Sequence, residues 1–461
     1  MDDILKLDAT VLAGRIADGT LTAEALMIAT LDHVDAVNPA LNAIVSRVDR
    51  ETLLAQARAA DAGPRKGPLH GLPIAVKDLA DVAGIPTSMG CAALAGMVPR
   101  TSDVMVQRMI DAGAIVIGKT NTPEFGLGSH TYNPVFGATR NAIDSSRSAG
   151  GSSGGAALAL AARMTSIADG SDMMGSLRNP AGWNEIYGLR PTWGAVPSEP
   201  KGDTFLHQLS TGGPMARSPA DLALLLDVQA GRDPRQPHSL NHTPVAGRLD
   251  ADVSGRKIAW LGDWSGAYPM EAGVMDHAAA AVARLGAMGC VVEAVSAPFK
   301  VADIWEAWIT LRSWSVSVGL GALYDNAGMR AKLKPEAIWE IERGRALTLA
   351  QVQAASVIRS RWFEKAASLF ETYDAFVLPT AQCYPFPVEW DWPREIAGVK
   401  MDTYHRWMEV VVPVSLIGLP CLAVPAGLGA NGLPMGLQIA GPRGADLALL
   451  QLGQAWHQQL T

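Results

Sequence analysis

From residue 69 onward the chain is built of short apolar runs punctuated by glycine and proline, a pattern that predicts alternating strands and helices. IAV (74–76) and AIVIG (114–118) read as buried strands, with MVQRMIDAG (105–113) as the helix between them. A second unit of the same kind follows in RKIAWLGD (256–263), HAAAAVARLGAMG (277–289) and CVVEAV (290–295). This alternation predicts an α/β architecture. Before it, residues 7–37 read as helical. Leu26, Ile28/Ala29, Val34 and Val37 recur at helical spacing, Thr20 or Thr22 can cap the segment, and Asn38-Pro39 stops it. Residues 151–165 read as a buried helix whose N-terminus is a glycine–serine cluster.

Composition narrows the class. The chain has 461 residues, 48% hydrophobic and 18% charged, with 46 glycines and 29 prolines: an enzyme-sized globule rich in tight turns. A net charge of −7 argues against nucleic acid or an anionic membrane as partner. The opening MDDILKLDA lacks a basic and then apolar leader pattern. The longest apolar run, 411–427, is broken by three prolines and too short for a bilayer span. Four cysteines without CxxC spacing predict reduced, buried thiols and a cytoplasmic protein. Nine scattered histidines without HExxH predict neither metal nor cofactor. Of thirteen tryptophans, ten lie between Trp260 and Trp407, either as core packing or as walls of a substrate pocket.

Three motifs offer chemistry. GAIVIGKT (113–120) fits the phosphate-loop string, but Ala-Ile-Val-Ile is a buried strand and not an exposed loop, so nucleotide binding is rejected. GGSSG and GSSGG satisfy GxSxG, but SRSAG is a poor preceding strand and no suitable histidine follows. What remains is a serine nucleophile activated by a lysine that burial keeps neutral. Lys77, at the end of the apolar strand PIAV, is the candidate; the alternative is a lysine paired with the adjacent Asp78.

Taken together, GLPIAVKDLADVAGIPTSMG, GKTNTPEFGLGS, RSAGGSSGGAALALAA, GSDMMGSLRNPA and YGLRPTWGAVP resemble, in order and spacing, the blocks of the amidase signature family. GPMARSPADLALLLDV, YDAFVLPTA and GLPCLAVPAGLGANGLPMGLQIAGP extend the resemblance over nearly the whole chain, weakly only across about 235–370. It implies a single large α/β domain with a mixed, mostly parallel central sheet flanked by helices. Within it, residues 1–65 form a helical region, 66–230 the signature core, 231–405 a Trp-rich insertion shaping the pocket, and 406–461 the return to the core.

The resemblance also implies a triad. Lys77 falls on the family's buried lysine, Ser152 on the serine after a cis peptide bond, and Ser176 on the nucleophile, 24 residues further on. Ser153 is then structural. Backbone N–H groups of Met173, Met174, Gly175 and Ser176 would form the oxyanion hole, each worth roughly 3–4 kcal/mol. Met173, Met174, Trp183, Gly128 and Ser129 would line the pocket. The sequence departs from the family in Met174, where glycine is usual, and in Trp183-Asn184-Glu185, where small residues and a cysteine are common. The expected reaction is hydrolysis of a C–N bond. Two methionines beside the nucleophile favour bulky or aryl amides and N-aryl carbamates, the carbamic acid released from a carbamate losing carbon dioxide. Nylon-type oligoamides, a transamidating subunit of a tRNA-dependent amidotransferase, and an inactive amide-binding protein are the alternatives. Apart from the small-molecule substrate no partner is expected, and the chain would act as a monomer or homodimer.

Overall fold

The computed structural model describes residues 3–206 and 209–460. Its strands are β1 (Ile44–Val45), β2 (Pro73–Lys77), β3 (Ile115–Thr120), β4 (Ile167–Asp172), β5 (Tyr187–Arg190), β6 (Thr211–Ala216) and β7 (Lys257–Trp260). They continue with β8 (Val291–Ala294), β9 (Ala375–Pro379), β10 (Glu395–Ile396), β11 (Val399–Lys400), β12 (Cys421–Leu428) and β13 (Pro434–Ala440). Eight of them form the central sheet in the order β4-β6-β5-β12-β13-β9-β7-β8, while β1-β3-β2 form a smaller sheet and β10-β11 a hairpin.

The central sheet is mixed and flanked by helices, as expected, but mostly antiparallel where a mostly parallel one was expected. From β4 through β9 every pairing is antiparallel. Parallel pairing within it is confined to β7 with β8 and β9. Connection length accounts for the directions of two of these stretches: β12 and β13 are joined by a short turn, which can only reverse the chain, whereas the links among β7, β8 and β9 pass through helices.

Both strand–helix–strand units of the sequence are present. β2 and β3 pair in parallel across the Val104–Asp111 helix, and β7 and β8 across Val274–Ala287. The N-terminal segment divides instead into two helices, Ala9–Ala17 and Ala23–Leu41, with Thr22 capping the second by accepting the Ala25 N–H at 3.1 Å. Pro39 does not stop that helix, which ends at Asn42 in the left-handed conformation (φ 59°). The reason is local. The Asn38 side chain accepts from Ala43 N and Ile44 N and donates to Ile44 O, tying the departing chain to the last turn.

The buried helix begins at Gly154, after the glycine–serine cluster. Gly155 is needed there, because a Cβ would lie 2.3 Å from the Asn121 amide nitrogen. The phosphate-loop lookalike is the buried strand β3, and Lys119 Nζ donates to Thr87 Oγ1 at 3.0 Å. Among the described residues the cysteines are free and buried, and no helix is long and apolar enough to cross a membrane. Trp264, Trp308, Trp362 and Trp407 are fully buried in one apolar cluster, which decides between the two readings of the tryptophans in favour of packing for these four.

Candidate active site

Lys77 ends β2, where the smaller sheet meets the central one: its N–H donates to Asp169 Oδ1 of β4 at 3.0 Å. Its side chain does not pair with Asp78, which accepts from Ser88 Oγ (2.7 Å) and faces Lys119 (3.9 Å). Nζ instead lies 2.8 Å from both Ser152 Oγ and Ser153 Oγ, and 3.1 Å from Ser171 Oγ. Burial drives the ammonium from its ordinary pKa of 10.5 to about 7, against the pull of Asp169 and Asp172. The site therefore holds a lysine able to accept a proton near neutrality. The peptide bond between Gly151 and Ser152 is cis.

Ser176 sits on the turn that leaves β4. That turn is fixed from behind by Asp172, whose Oδ1 accepts the Gly175 N–H (2.9 Å) and whose Oδ2 accepts the Leu177 N–H (3.1 Å). Arg178 and Arg190 close on the same carboxylate at 3.0 Å each, all three side chains being buried. Burial opposes the charge, but the two guanidiniums outweigh it and hold the Asp172 carboxyl far below its ordinary 3.8. The left-handed residue of the turn is Gly175 (φ 79°), where a Cβ would lie 2.9 Å from Val411. Met174 is not among the positive-φ residues, so the departure from glycine costs the turn no strain. The backbone N–H groups of Met173, Met174 and Ser176 donate to no described residue. Gly175 must be removed from the expected oxyanion set, its N–H being engaged by Asp172.

A stability prediction arises here. Asp172→Asn leaves two buried guanidiniums without a counter-charge and should cost about 3–5 kcal/mol. Because the folded pKa is depressed, the aspartate's contribution is present above pH 3.8 and is lost only as pH falls well below it. Denaturant unfolding of both proteins at pH 5 and pH 7 measures this; equal stabilities would refute it.

Ser152, Ser176, Met173, Met174, Gly128 and Ser129 all line one cavity of about 210 Å³. Trp183 does not. It ends the short Asn179–Trp183 helix, which turns it into the core, where it is fully buried and stacks on Trp407 at 5.6 Å. Ser153, equally close to Lys77, faces away from the cavity and donates to Ser171 O at 3.3 Å.

The sequence model of the family described as Amidase matches residues 25–450. The chain belongs to the amidase signature family. An acylamidase of Rhodococcus erythropolis is 33% identical over 454 residues, covering 96% of this chain and 94% of that one. A glutamyl-tRNA(Gln) amidotransferase subunit of Acidothermus cellulolyticus is 35% identical over 491 residues, covering 99% and 94%. Among solved structures, a bacterial aryl acylamidase of the amidase signature family superposes with a TM-score of 0.92 at 27% identity, covering 98% and 96%.

Several residues of this amidase signature site went unassigned in the sequence. Ser171, inside the GSDMMGSLRNPA block, and Asp169, just before it, flank Lys77 but were given no role. Asp172, Arg178 and Arg190 did carry a signal: two arginines in apolar, glycine-containing segments, SLRNPAGW and YGLRPTWG, need a buried anion, and Asp172 is the nearby aspartate. Arg312 and His405, on the cavity wall, come from segments with no distinguishing pattern.

Proposed function

We propose that the chain hydrolyses the C–N bonds of bulky or aryl amides, and also carbamates, through an acyl or carbamoyl ester on Ser176. The observation that carries this reading is Lys77 Nζ at 2.8 Å from Ser152 Oγ, beneath a cavity to which both Ser152 and Ser176 open. Neutral Lys77 takes the Ser152 proton while Ser152 takes that of Ser176, so the alkoxide develops only as Ser176 Oγ attacks the carbonyl. The N–H groups of Met173, Met174 and Ser176 are the donors available to the oxyanion. Collapse expels the amine, which leaves with a proton returned through Ser152. Water then attacks the ester by the same route and releases the acid. With a carbamate that loses its alcohol first, the released carbamic acid decomposes to amine and carbon dioxide.

The apolar walls support a bulky substrate: Leu79, Phe125, Met173, Met174 and Val316 face the cavity. A thioether contributes about 0.3–1.5 kcal/mol against an aromatic ring. Met174→Gly should therefore narrow the preference for an anilide or N-aryl carbamate over a short aliphatic amide by about threefold to tenfold. The values of kcat/KM for those three substrates, on wild type and variant, test it. A wild-type preference for the aliphatic amide, or ratios unmoved by the substitution, would defeat the bulky-substrate reading.

The identity to the amidotransferase protein supports a second reading, in which glutamine is the substrate. Free glutamine brings a charged amine and a carboxylate that both need partners. Arg312 is the one arginine or lysine among the described residues lining the cavity, and it is already paired with Glu340 at 2.7 Å. Glutaminase activity exceeding anilide hydrolysis would favour this second reading.

A further inference from the structure

On the hydrolase reading just given, we infer that His405 and Arg312 form a recognition point for a neutral oxygen acceptor on the substrate, away from the scissile bond. Arg312 projects from the long Val301–Asp325 helix and is almost completely buried. Its Nε donates to Glu340 Oε1 (2.7 Å) and its Nη2 to Tyr404 Oη (2.8 Å). Nη1 has only the Met173 sulfur, at 3.2 Å, a weak acceptor that leaves donor capacity unused. His405 is 2% exposed, yet neither ring nitrogen has a hydrogen-bond partner. Its Nε2 stands 4.0 Å from Glu340 Oε1, beyond hydrogen-bonding reach. The ring is held by stacking on Tyr404, with centroids 4.4 Å apart.

Both side chains line the same cavity as Ser176, and Met173, which Arg312 touches, belongs to the turn that carries the nucleophile. Buried imidazole nitrogens are normally satisfied, so two left without a partner in a side chain that lines the cavity call for a ligand atom. The class of that atom follows from charge. Glu340 neutralises Arg312 and also accepts from Ser313 Oγ (2.6 Å) and Tyr404 Oη (2.8 Å). A carboxylate would bring a second buried anion beside Glu340, whereas an aryl ether, nitro or second carbonyl oxygen adds no charge. The substrate this wall fits is apolar with one such acceptor.

The test uses isosteres: para-methoxy and para-ethyl acetanilide, and the same pair of benzamides, so that the ring stands on the amine side or on the acyl side. Wild type should favour methoxy over ethyl in one of the two pairs by about fivefold to tenfold in kcat/KM, the size of one neutral hydrogen bond. His405→Phe preserves a ring against Tyr404 and strips no other group of a partner; it should bring that ratio to within about twofold. The ratio is internal to each enzyme, so a partly inactive preparation does not distort it. No methoxy preference in either wild-type pair, a preference that survives in His405→Phe, or a para-carboxylate favoured over methoxy would overturn the inference. A wild type that hydrolyses no amide at all would overturn the hydrolase reading itself, and this inference with it.

Discussion

Ser176→Ala is expected to abolish amide hydrolysis, by a factor on the order of 10⁴–10⁶, while leaving thermal stability unchanged. The first half follows from the proposed role, since no other hydroxyl on the turn from Asp172 to Arg178 could take the acyl group. The second half follows from how the turn is built. Its shape is set by Gly175 and by the Asp172 carboxylate, and the Ser176 hydroxyl holds none of it. Ser152→Ala should be comparably damaging, because Ser152 is the cavity-lining hydroxyl closest to Lys77, at 2.8 Å against 3.1 Å for Ser171. Ser153→Ala should cost no more than about tenfold, the effect of removing one neutral hydrogen bond from Lys77. Single-turnover kinetics with an activated anilide distinguish the three. A Ser153→Ala enzyme worse than Ser152→Ala would reverse the relay assignment.

Lys77→Met should be nearly inactive and, at neutral pH, more stable than the wild type. Burial lowers the folded pKa to about 7 from an unfolded value of 10.5. Between those values the unfolded chain binds a proton that the folded one does not. The cost to stability therefore grows as pH falls from 10.5 to about 7 and is constant below. Methionine removes a penalty on the order of 3–5 kcal/mol at pH 7, offset in part by the hydrogen bonds that Ser152, Ser153 and Ser171 lose. The midpoint difference between variant and wild type should shrink as the buffer is raised toward pH 10. In the wild type, kcat/KM should rise from the acid side and level off above about pH 7, as Lys77 becomes a base. A flat or acid-peaked profile, or a variant that melts below wild type at pH 7, would remove Lys77 from the proposed role.

Much of the architecture was legible because its signals are local. The apolar runs at 74–76 and 114–118 became β2 and β3 with the expected helix between them, since a buried strand needs little beyond its own composition. Strand direction was not legible, because pairing is decided by connections between distant segments. Nor was the continuation through Pro39, which depends on one asparagine side chain folding back. At the site, Lys77, Ser152 and Ser176 stand in motifs whose spacing is fixed by the backbone. Trp183 was misplaced for the opposite reason: an indole a few residues after Ser176 in sequence points wherever its short helix turns, here into the core. Arg312 and His405 reach the cavity from remote segments, and no single-sequence pattern encodes that convergence.

The hub of Asp172 with Arg178 and Arg190 has a consequence for how this site can change over generations. The loop bearing Ser176, the proposed nucleophile, is clamped on its inner side, and the clamp makes no use of the Met173 and Met174 side chains, which reach instead to Arg312 and to the adjoining apolar cluster. Positions 173 and 174 thereby stand outside the constraint that Asp172 places on their neighbours, and only the packing around their side chains limits them. Lineages can exchange side chains there and drift in the molecules they accept, while the machinery one residue away stays in register.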